Sequence, residues 1–137
     1  MASAPESDPV TALLKRAKII AVVGLSDDPM RVSYGVSAYM QSQGYRIIPV
    51  NPKIESSLGE NAYGSLFAVP EKIDIVNIFR RPESVEGVVD QAIQLKVPAI
   101  WMQEDVVHEM AAEKARKAGI FVVMDRCILK EHRARIR

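Results

Sequence analysis

Two periods organise the apolar positions of this chain. Apolar runs at 19–23, 47–50, 73–79, 99–102 and 120–124 are rich in β-branched residues and alternate poorly with polar ones. Strands covered on both faces have that pattern. Between the runs, apolar residues recur at helical spacing. Val36, Tyr39 and Met40 mark one face, with Gly44 after it as a stop. Val85, Val88, Val89, Ala92 and Ile93 form a full stripe, preceded by Pro82 and the acids Glu83 and Glu86. Val107, Ala111, Ala115 and Ala118 mark a third helix, ended by Gly119. Asp8 before Pro9 predicts a capped helix running to about Lys18, and a last helix is expected after Asp125. The stretch 51–72 is less regular; its Gly59, Gly64 and Pro70 suggest turns around a short helix or extended piece.

Strands alternating with helices imply parallel crossovers and an α/β, three-layer Rossmann-like sandwich. The expected sheet has five parallel strands in the order 3-2-1-4-5, with a ligand at the carboxyl edge near the switch point between the first and fourth strands. Residues 1–8 read as a flexible tail and 9–137 as a single domain.

Composition changes this picture little. The chain has 137 residues, 48% hydrophobic and 26% charged, with a formal net charge of +1. That balance suggests a globular protein without a nucleic-acid role. The basic C-terminus (Lys130, Arg133, Arg135, Arg137) reads as a solvated helix. No run reaches the ~20 apolar residues of a membrane span. The acidic N-terminus lacks the basic start of a signal peptide, so the plain reading is cytoplasmic. One cysteine, Cys127, excludes an internal disulfide and a cysteine-built metal site.

The chemistry concentrates where the first run meets Gly24. Strand, glycine turn and helix in that order place backbone N–H groups and a positive helix end beside an anion, usually phosphate. The loop reads G-L-S-D-D-P, not G-x-G-x-x-G, and the second run ends in Asn51-Pro52-Lys53 where a ribose-binding acid would stand. NAD is therefore disfavoured. Nucleotides with an extra ribose phosphate, NADP and coenzyme A, remain, and coenzyme A suits the other loops better. Arg31, Lys53, Arg80 and Arg81 are candidate phosphate partners, with Ser26 and Ser33 as hydroxyl donors. Phe79 and Trp101 end their runs at the same edge, where they are candidates to flank adenine or the pantetheine arm.

The strings VVGLSDDPMRVSYGV, YRIIPVNPK, DIVNIFRRPESV, AIWMQEDVV and AGIFVVMDRCI together resemble the stand-alone CoA-binding protein family. That family is similar to the nucleotide-fold domain of succinyl-CoA synthetase α-subunits and ADP-forming acyl-CoA synthetases. The likeness runs from about residue 10 to 133. It implies a Rossmann-like coenzyme A site using Gly24, Leu25 and Ser26; Val50, Asn51, Pro52 and Lys53; Phe79, Arg80 and Arg81; and Trp101, Met102 and Gln103. The synthetases add a second domain with a phosphorylated histidine. This chain ends before any such domain, so the expectation is a binder of coenzyme A or acyl-CoA, a sensor or carrier module without catalysis of its own. The alternatives are a partner-dependent piece of an acyl-CoA ligase or a small NADP-linked reductase.

Plainer readings stand beside these. Gly24 also permits a tight turn, and Asn51-Pro52 is a turn signal by itself. Asp27 and Asp28 are expected to face solvent or hold Arg31. Adjacent Arg80 and Arg81 diverge, so one is expected inward and one at the surface. Trp101 fits core, interface or ligand wall. Tyr34, Tyr39 and Trp101 are candidates for a homodimer face or the surface of another protein partner. His108 and His132 lack partners at metal-ligand or general-base spacing. Glu104 and Asp105 read as a helix start. Cys127 reads as a small buried side chain; near a coenzyme A thiol the alternative is a mixed disulfide.

Overall fold

The computed structural model describes residues 8–136. The expected tail at residues 1–7 lies outside the described residues, whereas Asp8 belongs to the fold. Its carboxylate accepts from Val10 N at 3.1 Å, capping α1 (Pro9–Arg16), and pairs with Arg135 near the far end of the chain. β1 (Ile19–Val23) follows, then α2 (Val32–Ser42) and β2 (Arg46–Val50). The irregular stretch holds a two-stranded hairpin, β3 (Ser56–Ser57) and β4 (Glu60–Asn61), and a 3-10 turn at Leu66–Ala68. Leu58 and Gly59 take positive φ at the hairpin tip, as a tight two-residue connection requires. Then come β5 (Ile75–Ile78), a 3-10 turn at Pro82–Ser84, α3 (Val85–Gln94), β6 (Ala99–Met102), α4 (Glu109–Lys117), β7 (Phe121–Val123) and α5 (Ile128–Arg135).

The five long strands form one parallel sheet in the order β2-β1-β5-β6-β7, a Rossmann-like arrangement. One placement differs from the expected order. The third long run, β5, lies beside β1 instead of beyond β2, so the switch point falls between β1 and β5. Beyond β2 there is a single parallel bridge, Val50 to Tyr63. Pro49 explains why the sheet stops there. Its carbonyl accepts from Tyr63 N on the outer side, and proline offers no N–H for a further ladder.

Alternation within the buried strands fills two layers. Ala21, Val23, Val76, Ile78, Ile100 and Met102 pack toward α3 and α4. Ile20, Val22, Ile47, Ile75, Ala99 and Trp101 pack toward α1, α2 and α5. His132 of α5 is buried in the second layer. Its Nδ1 lies 2.9 Å from the Tyr39 hydroxyl, and both Tyr39 and Tyr45 meet the ring edge-on. His108 caps α4 through Nδ1, which accepts from Ala111 N at 3.1 Å; the helix therefore starts four residues after Asp105. No helix among the described residues is long and apolar enough to cross a membrane.

Candidate functional site

The carboxyl ends of β2, β1, β5 and β6 open onto one cleft of about 1050 Å³. Gly24 is its floor. Gly24 N donates to Val50 O at 2.9 Å, and Phe79 N donates to Val23 O at 2.8 Å, so the chain leaves β1 squeezed between its two neighbours. The φ of Gly24 is +90°, and a Cβ there would collide with the Phe79 carbonyl oxygen and lie 3.0 Å from Arg80 Cδ. Glycine at this position is thus required twice, by backbone conformation and by space.

Polar bonds hold the loop that follows. Ser26 N donates to Ser33 Oγ at 3.0 Å, and Asp28 N to Ser26 Oγ at 3.0 Å. Asn51 Nδ2 donates to Leu25 O at 3.0 Å, while its Oδ1 accepts from Lys53 N at 2.9 Å. Ser57 Oγ of the hairpin reaches Ser26 O at 2.8 Å. The β1–α2 and β2–β3 loops are therefore tied to each other. The α2 N-cap, Arg31, makes no side-chain capping bond, so its own side chain leaves the first-turn N–H groups of that helix uncapped.

Ten of the fifteen predicted site residues come together here. Gly24, Ser26, Arg31 and Ser33 line the cleft from the β1–α2 segment. Asn51, Pro52 and Lys53 line it from β2, and Phe79, Arg80 and Arg81 from β5. Both arginines of the adjacent pair reach it, where one was expected to face away. Among the described residues, Arg31, Lys53, Arg80 and Arg81 have no carboxylate within salt-bridge distance. Asp28 does not hold Arg31; its Oδ1 accepts from Met30 N at 2.9 Å.

The other five residues lie elsewhere. Leu25 is fully buried in the layer under α2. Val50 lines a smaller cavity of about 110 Å³ beside the cleft, with Leu66, Val88 and Gln91. Trp101 and Met102 are 0% exposed. Trp101 is not a wall of the cleft: it is the third residue of β6, so its ring points into the α1–α2–α5 layer, where Nε1 donates to Arg126 O at 2.8 Å. Gln103 is buried too, its Oε1 accepting from Ile128 N at 3.0 Å in the first turn of α5.

Several cleft residues lie outside the fifteen predicted ones: Met30 and Val32 beside Arg31; Pro82, Glu83 and Ser84 after Arg81; and Glu104, Asp105 and Val106 after β6. By pattern alone, Glu83 and Glu104 look like helix-start acids. Glu104 accepts from Lys130 Nζ at 2.9 Å; that bond, and the carboxylate's charge, raise the Lys130 pKa above its usual value. Asp105 takes φ +69° and donates its N–H to Asp125 Oδ1 at 2.8 Å. Cys127 is buried at the start of α5.

A parallel sheet with an open cationic cleft at its switch point defines the class, a Rossmann-like α/β protein. Residues 18–133 match the family model described as CoA binding domain, and the chain belongs to that family. It is 44% identical over 128 residues to uncharacterized protein YneT of Bacillus subtilis, covering 93% of this chain and 95% of that one. A solved structure, a hypothetical protein from Pyrococcus horikoshii, superposes with a TM-score of 0.92 at 33% identity, covering 100% of this chain and 98% of the other. A shorter match, 37% identical over 60 residues, is to the α subunit of ADP-forming acetate–CoA ligase II of Pyrococcus furiosus; it spans 43% of this chain and 13% of that subunit.

Proposed function

We propose that the chain binds coenzyme A or an acyl-CoA in this cleft, as a binding module without catalysis of its own. The observation that carries the reading is the convergence of four carboxylate-free cations, from three separate loops, on one cleft. Coenzyme A brings a 3′-phosphate and a diphosphate, a charge load that a single cation would not match. In this reading the diphosphate lies over Gly24 and the start of α2, where amides and Arg31 meet it. Lys53 and Arg80 take the 3′-phosphate, and Met30 and Val32 cover part of the uncharged arm. Membership of the CoA binding domain family supports the choice of ligand, as does the partial likeness to an acetate–CoA ligase subunit. Titration calorimetry of the whole chain with coenzyme A and dephospho-coenzyme A tests it. The expected result is binding of both, with coenzyme A about ten-fold tighter because one charged contact is added. Absence of heat with either ligand would overturn the assignment, and equal affinities would remove the 3′-phosphate contact.

A further inference from the structure

The wall of the cleft beyond β6 is fastened to a helix that does not line it. Each of the residues 101–105 bonds to the segment 125–130. Trp101 Nε1 donates to Arg126 O at 2.8 Å, and Arg126 N donates to Met102 O at 3.3 Å. Ile128 N donates to Gln103 Oε1 at 3.0 Å, Lys130 Nζ to Glu104 Oε2 at 2.9 Å, and Asp105 N to Asp125 Oδ1 at 2.8 Å. Glu104, Asp105 and Val106 line the cleft; among the described residues, none of 125–135 does.

Gln103 is the junction of this seam. Its backbone N–H reaches Ile78 O at the end of β5 at 3.4 Å, and its carbonyl accepts from Val106 N at 2.9 Å. Its buried side chain supplies the cap that α5 lacks locally. The N-cap Cys127 makes no side-chain capping bond, so the first amide of the helix depends on Gln103 for its acceptor. α5 is otherwise lightly held. It has eight residues, too few to be stable alone in water. It buries Ile128 and His132, with Leu129 partly covered. Polar contacts fasten the rest: His132 Nδ1 lies 2.9 Å from the Tyr39 hydroxyl of α2, and Arg135 pairs with Asp8 ahead of α1. A short helix with little apolar area opens locally before the whole molecule unfolds.

We infer that Gln103 is a positioning residue and α5 a detachable brace: through Gln103, the docking of α5 sets the β6–α4 wall of the cleft, so that ligand binding and α5 docking stabilise each other. This rests on the coenzyme A reading above, and it gives Gln103 a role behind the site in place of the direct ligand contact expected from the sequence. When α5 opens, Ile128 N leaves Gln103 Oε1 and the wall loses its fastening. A ligand that needs the wall in place then binds the docked state alone. Coupling of this kind is reciprocal, so the ligand holds down a helix it does not touch.

Hydrogen exchange of the whole chain, with and without coenzyme A at about a hundred times its Kd, tests this beside calorimetry. The α5 amides are expected to exchange about 100-fold more slowly with ligand, the full linkage factor for an opening that abolishes binding. The last turn of α4, where Lys114 pairs with Glu86 and Asp90, should slow far less. Gln103→Met keeps the volume but removes the acceptor. It should speed α5 exchange about ten-fold and shrink the ligand effect to about ten-fold or less, because the helix then opens without moving the wall. Gln103→Glu restores an acceptor, now facing the positive start of α5, and should restore the slowing. Arg135→Ala, at the far end of α5, should speed its exchange while the slowing by ligand persists. If coenzyme A binds and α5 slows no more than the end of α4, the brace is refuted. If binding is lost in Gln103→Glu as well as in Gln103→Met, the amide touches the ligand directly and the positioning role is refuted. If calorimetry shows no binding by the parent chain, the site assignment itself fails and the inference falls with it.

Discussion

Replacing Gly24 by alanine probes the tightest point of the site. Two costs add. An L-residue at φ +90° sits in the left-handed region at about 1–2 kcal/mol. A methyl group there also meets the Phe79 carbonyl and lies 3.0 Å from Arg80 Cδ. Backbone on one side cannot swing away, so the crowding adds about 1–3 kcal/mol. Against this, alanine stiffens the unfolded chain and returns about 0.4–1 kcal/mol. The net loss is about 2–4 kcal/mol, which in a chain of this size lowers Tm by roughly 10 °C. Gly44→Ala supplies the control. Gly44 has φ +101°, and a methyl group added to it would meet nothing within 4 Å. Only the conformational cost applies there, and the net loss is about 1 kcal/mol. Urea unfolding of both variants, read at unchanged m, isolates the steric part as their difference, expected to be about 2 kcal/mol. Losses equal to within about 0.5 kcal/mol would refute the idea that the ends of β1 and β5 approach too closely for a side chain. In the same variant Arg80 is displaced, so coenzyme A affinity should fall further than stability alone explains.

Arg80→Ala should weaken coenzyme A binding about ten-fold, the loss of one charge-assisted contact, and should make affinity less sensitive to salt; titrations at low and high salt check this, and an unchanged salt dependence counts against a phosphate contact. His132 should make stability fall in acid. Burial lowers its pKa below the ordinary 6.5, so the unfolded chain takes up the proton first; its contribution is complete above about pH 6.5 and shrinks as pH drops toward the depressed folded value. Urea midpoints compared at about pH 7.5 and about pH 5 should diverge less in His132→Gln than in the parent chain, and an identical acid loss in both would show that other groups cause it.

The fold's layers and the core of the site were legible because strand ends are legible. A run of β-branched residues that stops at a glycine or at an Asn-Pro pair marks where the chain turns over the sheet edge, and parallel topology sends every such end to one side. Gly24, Asn51 and Phe79 could be placed together on that basis. Which strand neighbours which is another matter. Periodicity shows that 73–79 is a strand but not the side of β1 on which it returns. Pro49 held the relevant signal: with no N–H to offer outward, it marks β2 as nearly the edge, leaving β5 the other flank of β1. Trp101 failed for a similar reason of parity. Being near a strand end suggests the cleft, but the third residue of a four-residue strand faces a layer, not the edge. Glu104 and Asp105 fall in a loop expected at the carboxyl edge, yet they read as a helix start because acids ahead of an apolar stripe look like a first turn; His108, four residues after Glu104, is the true cap of α4.

The site divides its work between rigid backbone and free charge. Bonds from Ser26 to Ser33, from Asn51 to Leu25 and from Ser57 to Ser26 fix the loops of β1 and β2 to each other before any ligand arrives. Those loops lose little freedom on binding, which favours affinity without additional contacts. The cations behave in the opposite way. Arg31, Lys53 and Arg81 stand exposed and engage no carboxylate among the described residues, so they approach an anion without first breaking an ion pair. A preformed floor suits recognition of an anion, and the exposed cations, each of which loses rotamer freedom when it is fixed on a ligand, carry the entropic cost on the protein's side.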